Sequence, residues 1–175
     1  LLFNQSFNSI LAKQIVKSID LIDKSIVAET NRLKMETYIY FPEFSSIIES
    51  YLSTWHLTFL QRYPTSYHAK YGKIRTMKEI SYADHGKIDI IKNQISMAIR
   101  PLGDKCENDS CGKMISDTAK EILSLRLKKE DYLRQLEDIS NPKHVQLLKS
   151  IPGIGRSLAL QILTAIGDIQ RFDSV

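Results

Sequence analysis

Leu147-Leu148-Lys149-Ser150-Ile151-Pro152-Gly153-Ile154-Gly155-Arg156-Ser157-Leu158-Ala159-Leu160-Gln161-Ile162-Leu163-Thr164-Ala165-Ile166 holds two apolar helical patterns around the turn Pro152-Gly153-Ile154-Gly155. Pro152 ends the first helix, because its ring does not fit a helix interior and it steers Ile151 away from the helical region. Gly153 and Gly155 permit positive φ, so the chain can reverse tightly and restart a helix at once. Ile154, with Leu158, Ile162 and Ile166 at helical spacing, is expected to plug the turn into the core. What remains outside is a row of backbone N–H groups at a helix N-terminus, next to Arg156 and Ser157. Such a row suits an anion.

The pattern is that of a helix-hairpin-helix, a module that holds nucleic-acid phosphates through the backbone without reading bases. The small Ala159 just after the turn agrees with close helix packing. The same residues also fit a plain tight turn packed inside a bundle, and the sequence leaves both readings open.

Working outward, the chain has 175 residues, enough for one domain, or one domain with an appendage, around a real core. Its 43% hydrophobic and 25% charged content is that of a globular chain in water. No apolar run approaches a membrane span and no signal peptide is visible, so no membrane partner is expected. A chain that starts at Leu1 and stops at Val175, within what looks like a continuing element, is expected to be an excised fragment. Cys106 and Cys111 lie in Cys-Glu-Asn-Asp-Ser-Cys with no second Cys or His pair at ligand spacing. They are expected to be free thiols in a reducing cytoplasm rather than zinc ligands. The acidic stretch Asp104–Asp109 lacks the alternating spacing of a calcium loop.

The net charge of +4 is unevenly spread. Between positions 62 and 100, Arg62, Lys70, Lys73, Arg75, Lys78, Lys87, Lys92 and Arg100 face only Glu79, Asp84 and Asp89. The rest of the chain is close to neutral. Tyr63, Tyr67, Tyr71 and Tyr82 are interleaved with these cations, a mixture that suits backbone contact and stacking on nucleic acid. A solvated basic face over ordinary tyrosine packing fits equally.

The expected fold class is all-α. Residues 6–40 form one long helix with a seam of Ile15, Ile19, Ile22, Ile26 and Leu33, interrupted only by Glu29. Pro42 opens the next helix, expected over 43–62 and buried nearly all round, with Tyr51 and Trp55 in the core. Thr65 or Ser66 caps a short helix ended by Gly72, and two more follow over 74–83 and 86–99. A polar loop, 103–110, closes this lobe. A second long helix over 112–139 carries Ile115, Thr118, Ile122, Leu125, Lys129, Tyr132, Leu136 and Ile139 in a coiled-coil rhythm broken by Lys129. Ser140-Asn141-Pro142 recaps the chain. The expected division is 1–42 first long helix, 43–103 inserted basic lobe, 104–140 second long helix and 141–175 hairpin module. The two long helices pair antiparallel within one chain or between chains.

With the hairpin and its sequel in view, Leu147–Phe172 resembles the start of the C-terminal domain of DEDD-type insertion-sequence transposases. That group includes the bridge-RNA-guided recombinases and the Piv-like DNA invertases. The resemblance rests on Leu-Leu-x-x-Ile-Pro-Gly-Ile-Gly (147–155), on Ala159 four residues later, and on Ile-Gly-Asp-Ile-x-Arg-Phe (166–172). Weaker agreement runs through Asn31-Arg32-Leu33, Phe41-Pro42-Glu43 and Tyr63-Pro64-Thr65. It implies a recombinase of mobile-element ends, with a divalent metal such as magnesium in an N-terminal acidic domain and a serine nucleophile further C-terminal. Neither motif is in this sequence, and no catalytic role passes to Ser150, Ser157 or Ser174. Nor is a catalytic set formed by Asp84, Asp89, Glu121, Glu130 and Asp131, which are expected on solvated helix faces.

The function expected is the central nucleic-acid-binding and oligomerising part of such a transposase. Gly153, Ile154, Gly155, Arg156 and Ser157 would meet phosphate, with Lys73, Arg75 and Lys78 as an auxiliary patch. The expected partners are DNA, a guide RNA and further copies of the chain, with no small-molecule substrate and no cofactor in this part. The expected location is a bacterial or archaeal cytoplasm, at the nucleoid. A pure assembly scaffold and a junction-binding repair module are the rival readings.

Overall fold

The computed structural model describes residues 7–48, 52–98 and 103–167. Among these the chain is helical and without strands, as expected of an all-α fold. The helices are α1 (Phe7–Tyr40), α2 (Pro42–Ser45), α3 (Thr54–Arg62), α4 (Ser66–Tyr71), α5 (Ile74–Lys78), α6 (His85–Met97), α7 (Lys105–Asp138), α8 (Pro142–Lys149) and α9 (Arg156–Ile166). None of the described helices is long and apolar enough to cross a membrane. The chain divides into two compact units, one of Leu1–Ser25 with Arg126–Val175 and one of Ile26–Leu125.

In the Ile26–Leu125 unit an aromatic cluster fills the centre. Phe44 and Phe59 stack with ring centroids 5.6 Å apart, and Phe41 lies 5.4 Å from Phe44. Leu33, Leu57, Leu60, Met77, Ile88, Ile91, Ile115 and Ile122 are buried around them. Trp55 joins this core as expected, while Tyr51 lies outside the described residues. Glu36 of α1 accepts from the hydroxyl of Thr118 on α7 at 3.3 Å, which accommodates the polar position in the α7 seam.

Local signals explain where these helices start. Pro42 is the first residue of α2, as its fixed φ favours. The single helix expected over 43–62 is instead two, because Ser53 and His56 form a capping box that starts a new helix. Thr65 caps α4 by accepting from the His68 amide, and Gly72 ends it. Gly72 has no room for a side chain, since a Cβ there would lie 2.5 Å from the Tyr63 ring. The helix expected over 74–83 ends at Lys78, and Asp84 caps α6 through the Lys87 amide. The expected polar loop 103–110 is mostly the first turns of α7. The Asp104 carboxylate accepts from the Glu107 amide at 2.8 Å while the Glu107 carboxylate accepts from the Asp104 amide at 3.2 Å. That reciprocal cap starts the helix before its apolar pattern begins. Cys111 therefore sits on a helix, where its hydrogen bond to Tyr40 pushes the phenol above its ordinary value.

In the other unit, Ile15 and Ile19 of α1 share a small core with Leu133 and Leu136 of α7, Val145 of α8 and Leu160 of α9. The Lys129 break in the seam is explained by Asp23, whose carboxylate accepts from the ammonium at 2.6 Å. Asn141 caps α8 through the Lys143 amide, with Pro142 as its first residue.

Candidate nucleic-acid interface

The elbow between α8 and α9 is built by its own sequence. Ile154 donates its N–H to the Ile151 carbonyl at 3.1 Å, closing a four-residue turn with Pro152 and Gly153 at its centre. Gly153 has φ +89°, the value a turn with Pro second and Gly third requires. A Cβ placed on Gly153 or Gly155 would meet nothing within 4 Å, so the turn is open on its outer side.

Gly155 is the N-cap of α9 and supplies no capping side chain; its carbonyl accepts from the Ala159 amide at 2.9 Å. Among the described residues, the amides of Gly153, Gly155, Arg156, Ser157 and Leu158 have no acceptor within the protein. These include the orphan donors that every helix start leaves. The Ile154 amide, by contrast, is spent inside the turn.

The face that α9 buries differs from expectation. Ala159 and Leu160 are buried and Leu163 packs beside them, whereas Leu158 is exposed and Ile154, Ile162 and Ile166 are only half-buried. Apolar residues cover more than half of the circumference of α9, with Ser157, Gln161 and Thr164 together on the remaining side, so tertiary packing chose which part of that wide apolar face is buried. Leu147 and Ile151 are exposed on the other side of the turn.

Arg156 does not project freely. Its Nε and Nη2 donate to the Glu137 carboxylate at 3.0 and 2.7 Å, and its Nη1 donates to Glu130. Hydrogen bonds to Glu137 and then Glu130 push the guanidinium above its ordinary value, against the opposing effect of burial. Glu130 and Glu137 lie two turns apart on one face of α7, so Glu130, expected on a solvated face, is instead half-buried against Arg156. The spacing of seven was the signal available; nothing in the sequence said that Arg156 would reach both. Ser157 is half-buried, and its Oγ lies 3.4 Å from Gln161 Nε2.

The auxiliary patch belongs to the Ile26–Leu125 unit. Lys73 is exposed and serves as the N-cap of α5. Arg75 has a 90% exposed side chain and a long 3.4 Å contact with Glu79. Lys78 is held by Asp89 at 2.7 Å. Lys92 turns inward: its ammonium donates to the carbonyls of Ala69, Lys70 and Gly72 at 2.8, 2.9 and 2.8 Å, closing the C-terminus of α4. Burial lowers its pKa below the ordinary lysine value. Among the described residues, Arg62, Lys70 and Lys73 have no ion-pair partner, and Tyr71 and Tyr82 are exposed beside them in sequence. Tyr63 spends its hydroxyl on Thr76 at 2.7 Å. No group of His, Cys, Asp and Glu among the described residues is arranged to hold a metal ion.

Residues 145–175 match the family described as the transposase IS116/IS110/IS902 family. The match begins inside α8 and takes in the elbow and α9. Among curated proteins the chain has no match.

Proposed function

From the match of residues 145–175 to the IS116/IS110/IS902 transposases, we propose that this chain is the nucleic-acid-holding and self-associating part of a transposase of that kind. The division into a first long helix, a basic lobe, a second long helix and a hairpin module is the organisation proposed for it. DNA is the proposed partner, with a guide RNA as a second ligand of the same phosphate chemistry, and the surrounding compartment is the cytoplasm at the nucleoid. The single observation that carries the reading is the elbow itself, where the amides of Gly153, Gly155, Arg156 and Ser157 have no acceptor among the described residues and a Cβ on either glycine would meet nothing within 4 Å. Amides so placed hold a phosphate without regard to base sequence. Gly153, Gly155 and Ser157 are the donors, and Ile154 shapes the turn.

Charge comes from elsewhere. A helix start offers about half an elementary charge, and two carboxylates lie against the single guanidinium nearby. The elbow therefore supplies direction, and Lys73 and Arg75, with Lys78 once it leaves Asp89, supply the long-range attraction. An elbow alone, meeting about two phosphates, gives a log–log salt slope near −2, and the added patch steepens it to about −4 to −6. Fluorescence anisotropy of a labelled duplex across salt concentrations measures this. The triple variant K73A/R75A/K78A is expected to flatten the slope by about 2 to 3; an unchanged slope shows that the patch makes no contact with the duplex.

A second reading is favoured by a separate observation. Leu147, Ile151 and Leu158 are exposed around the same turn, an apolar rim suited to packing on protein. In that case the chain is an assembly scaffold. Sedimentation would then show mass rising with concentration, with no duplex affinity even at low salt.

A further inference from the structure

We infer that Arg156 is a positioning residue for the elbow rather than one of its phosphate contacts, a claim that rests on the elbow reading above. The guanidinium of the first residue of α9 is committed on two edges, to Glu137 through Nε and Nη2 and to Glu130 through Nη1. Its side chain is 29% exposed, and the two carboxylates that hold it are 43% and 40% exposed. A planar fork that already satisfies two carboxylates one helical face apart has to break charge-assisted hydrogen bonds before it can meet a phosphate.

What those bonds do instead follows from where they act. α9 joins α8 through a turn with Gly153 at its centre and Gly155 as the N-cap of α9, and its buried contacts come mainly from Ala159, Leu160 and Leu163. Apolar attraction is non-directional, so a small apolar contact holds a helix against its neighbour without by itself setting the direction of its first turn. Arg156 pins the first turn of α9 to two points on α7, one turn-pair apart, and so fixes the direction in which the amides of Gly155, Arg156 and Ser157 point. A lysine could reach one carboxylate as a point charge, not both in a fixed plane.

The test uses the whole chain and two readouts. The first is amide hydrogen exchange in α9 without nucleic acid. R156A and E130Q/E137Q are each expected to accelerate it on the order of 10-fold, and their combination to add nothing further. R156K recovers only part of the protection. The second is duplex binding against salt. R156A is expected to weaken affinity while leaving the slope unchanged, and the reversed variant R156E/E130Q/E137R to regain affinity. A fall in slope of roughly 0.9 in R156A makes Arg156 a phosphate contact and overturns the inference. Unaltered exchange in R156A and in E130Q/E137Q overturns it as well. If the unmodified chain binds no duplex at all, the elbow reading fails by itself, and the exchange arm still decides whether Arg156 orients α9.

Discussion

The two units of this chain are held together by different means. The Ile26–Leu125 unit surrounds Phe41, Phe44 and Phe59 with aliphatic side chains from α1, α3, α5, α6 and α7. The other unit has a short apolar list, Ile15, Ile19, Leu133, Leu136, Val145 and Leu160, and adds ion pairs at Asp23–Lys129 and at Arg156 with Glu130 and Glu137. Apolar burial does not weaken with salt, whereas exposed ion pairs are screened by it and half-buried ones less so. Ion pairs occur in the larger unit too, at Arg32–Glu36 and Lys78–Asp89, but there they stand beside an extensive apolar core, whereas around the elbow they supplement a small one.

That contrast can be broken or sharpened by substitution. The largest effect is expected from Phe44→Ala, which removes a fully buried ring stacked on Phe59 and should cost about 3–5 kcal/mol in urea unfolding. Leu160→Ala should cost about 2–4 kcal/mol, and hydrogen exchange should place the loss in α8 and α9 while α3 keeps its protection. Equal loosening of α3 would erase the distinction between the units. Gly112→Ala is a finer probe. Alanine gains about 1 kcal/mol of helix propensity, but its Cβ would lie 2.9 Å from both His68 and Pro64. His68 is held by Thr65 at 2.8 Å and Asp109 at 3.2 Å, and a proline ring yields little, so the clash wins and the net cost is about 1–2 kcal/mol. The smallest effect belongs to Asp23→Asn, about 0.5–1 kcal/mol at low salt, shrinking toward zero at high salt. A loss that persists in high salt would show that the carboxylate acts through packing instead.

Much of the architecture was legible before any coordinates. Long runs without Gly or Pro gave α1 and most of α7, and Ser, Thr, Asn and Asp ahead of apolar runs marked helix starts at Thr65 and Asn141. Two starts were missed for a related reason. Ser53 and Asp104 each act through a partner three residues on, His56 and Glu107, and a histidine in that role is easily passed over. At the site, the turn chemistry of Pro152 and Gly153 was readable because φ preferences are local. The commitments of Arg156 and Lys78 were not, because Glu130, Glu137 and Asp89 lie 11 to 26 residues from the cations they hold and only folding brings them close.

The sequence by itself determined the all-α class, the tight Pro-Gly turn and the uneven basic charge, since each follows from backbone sterics, hydrophobic period or composition. Tertiary structure alone decided which face of α9 is buried, that Lys92 turns inward to close α4, and that Arg156 is held by two carboxylates. A side chain's partner is set by whatever the fold places within a few ångströms of it, and distance along the chain carries no such information.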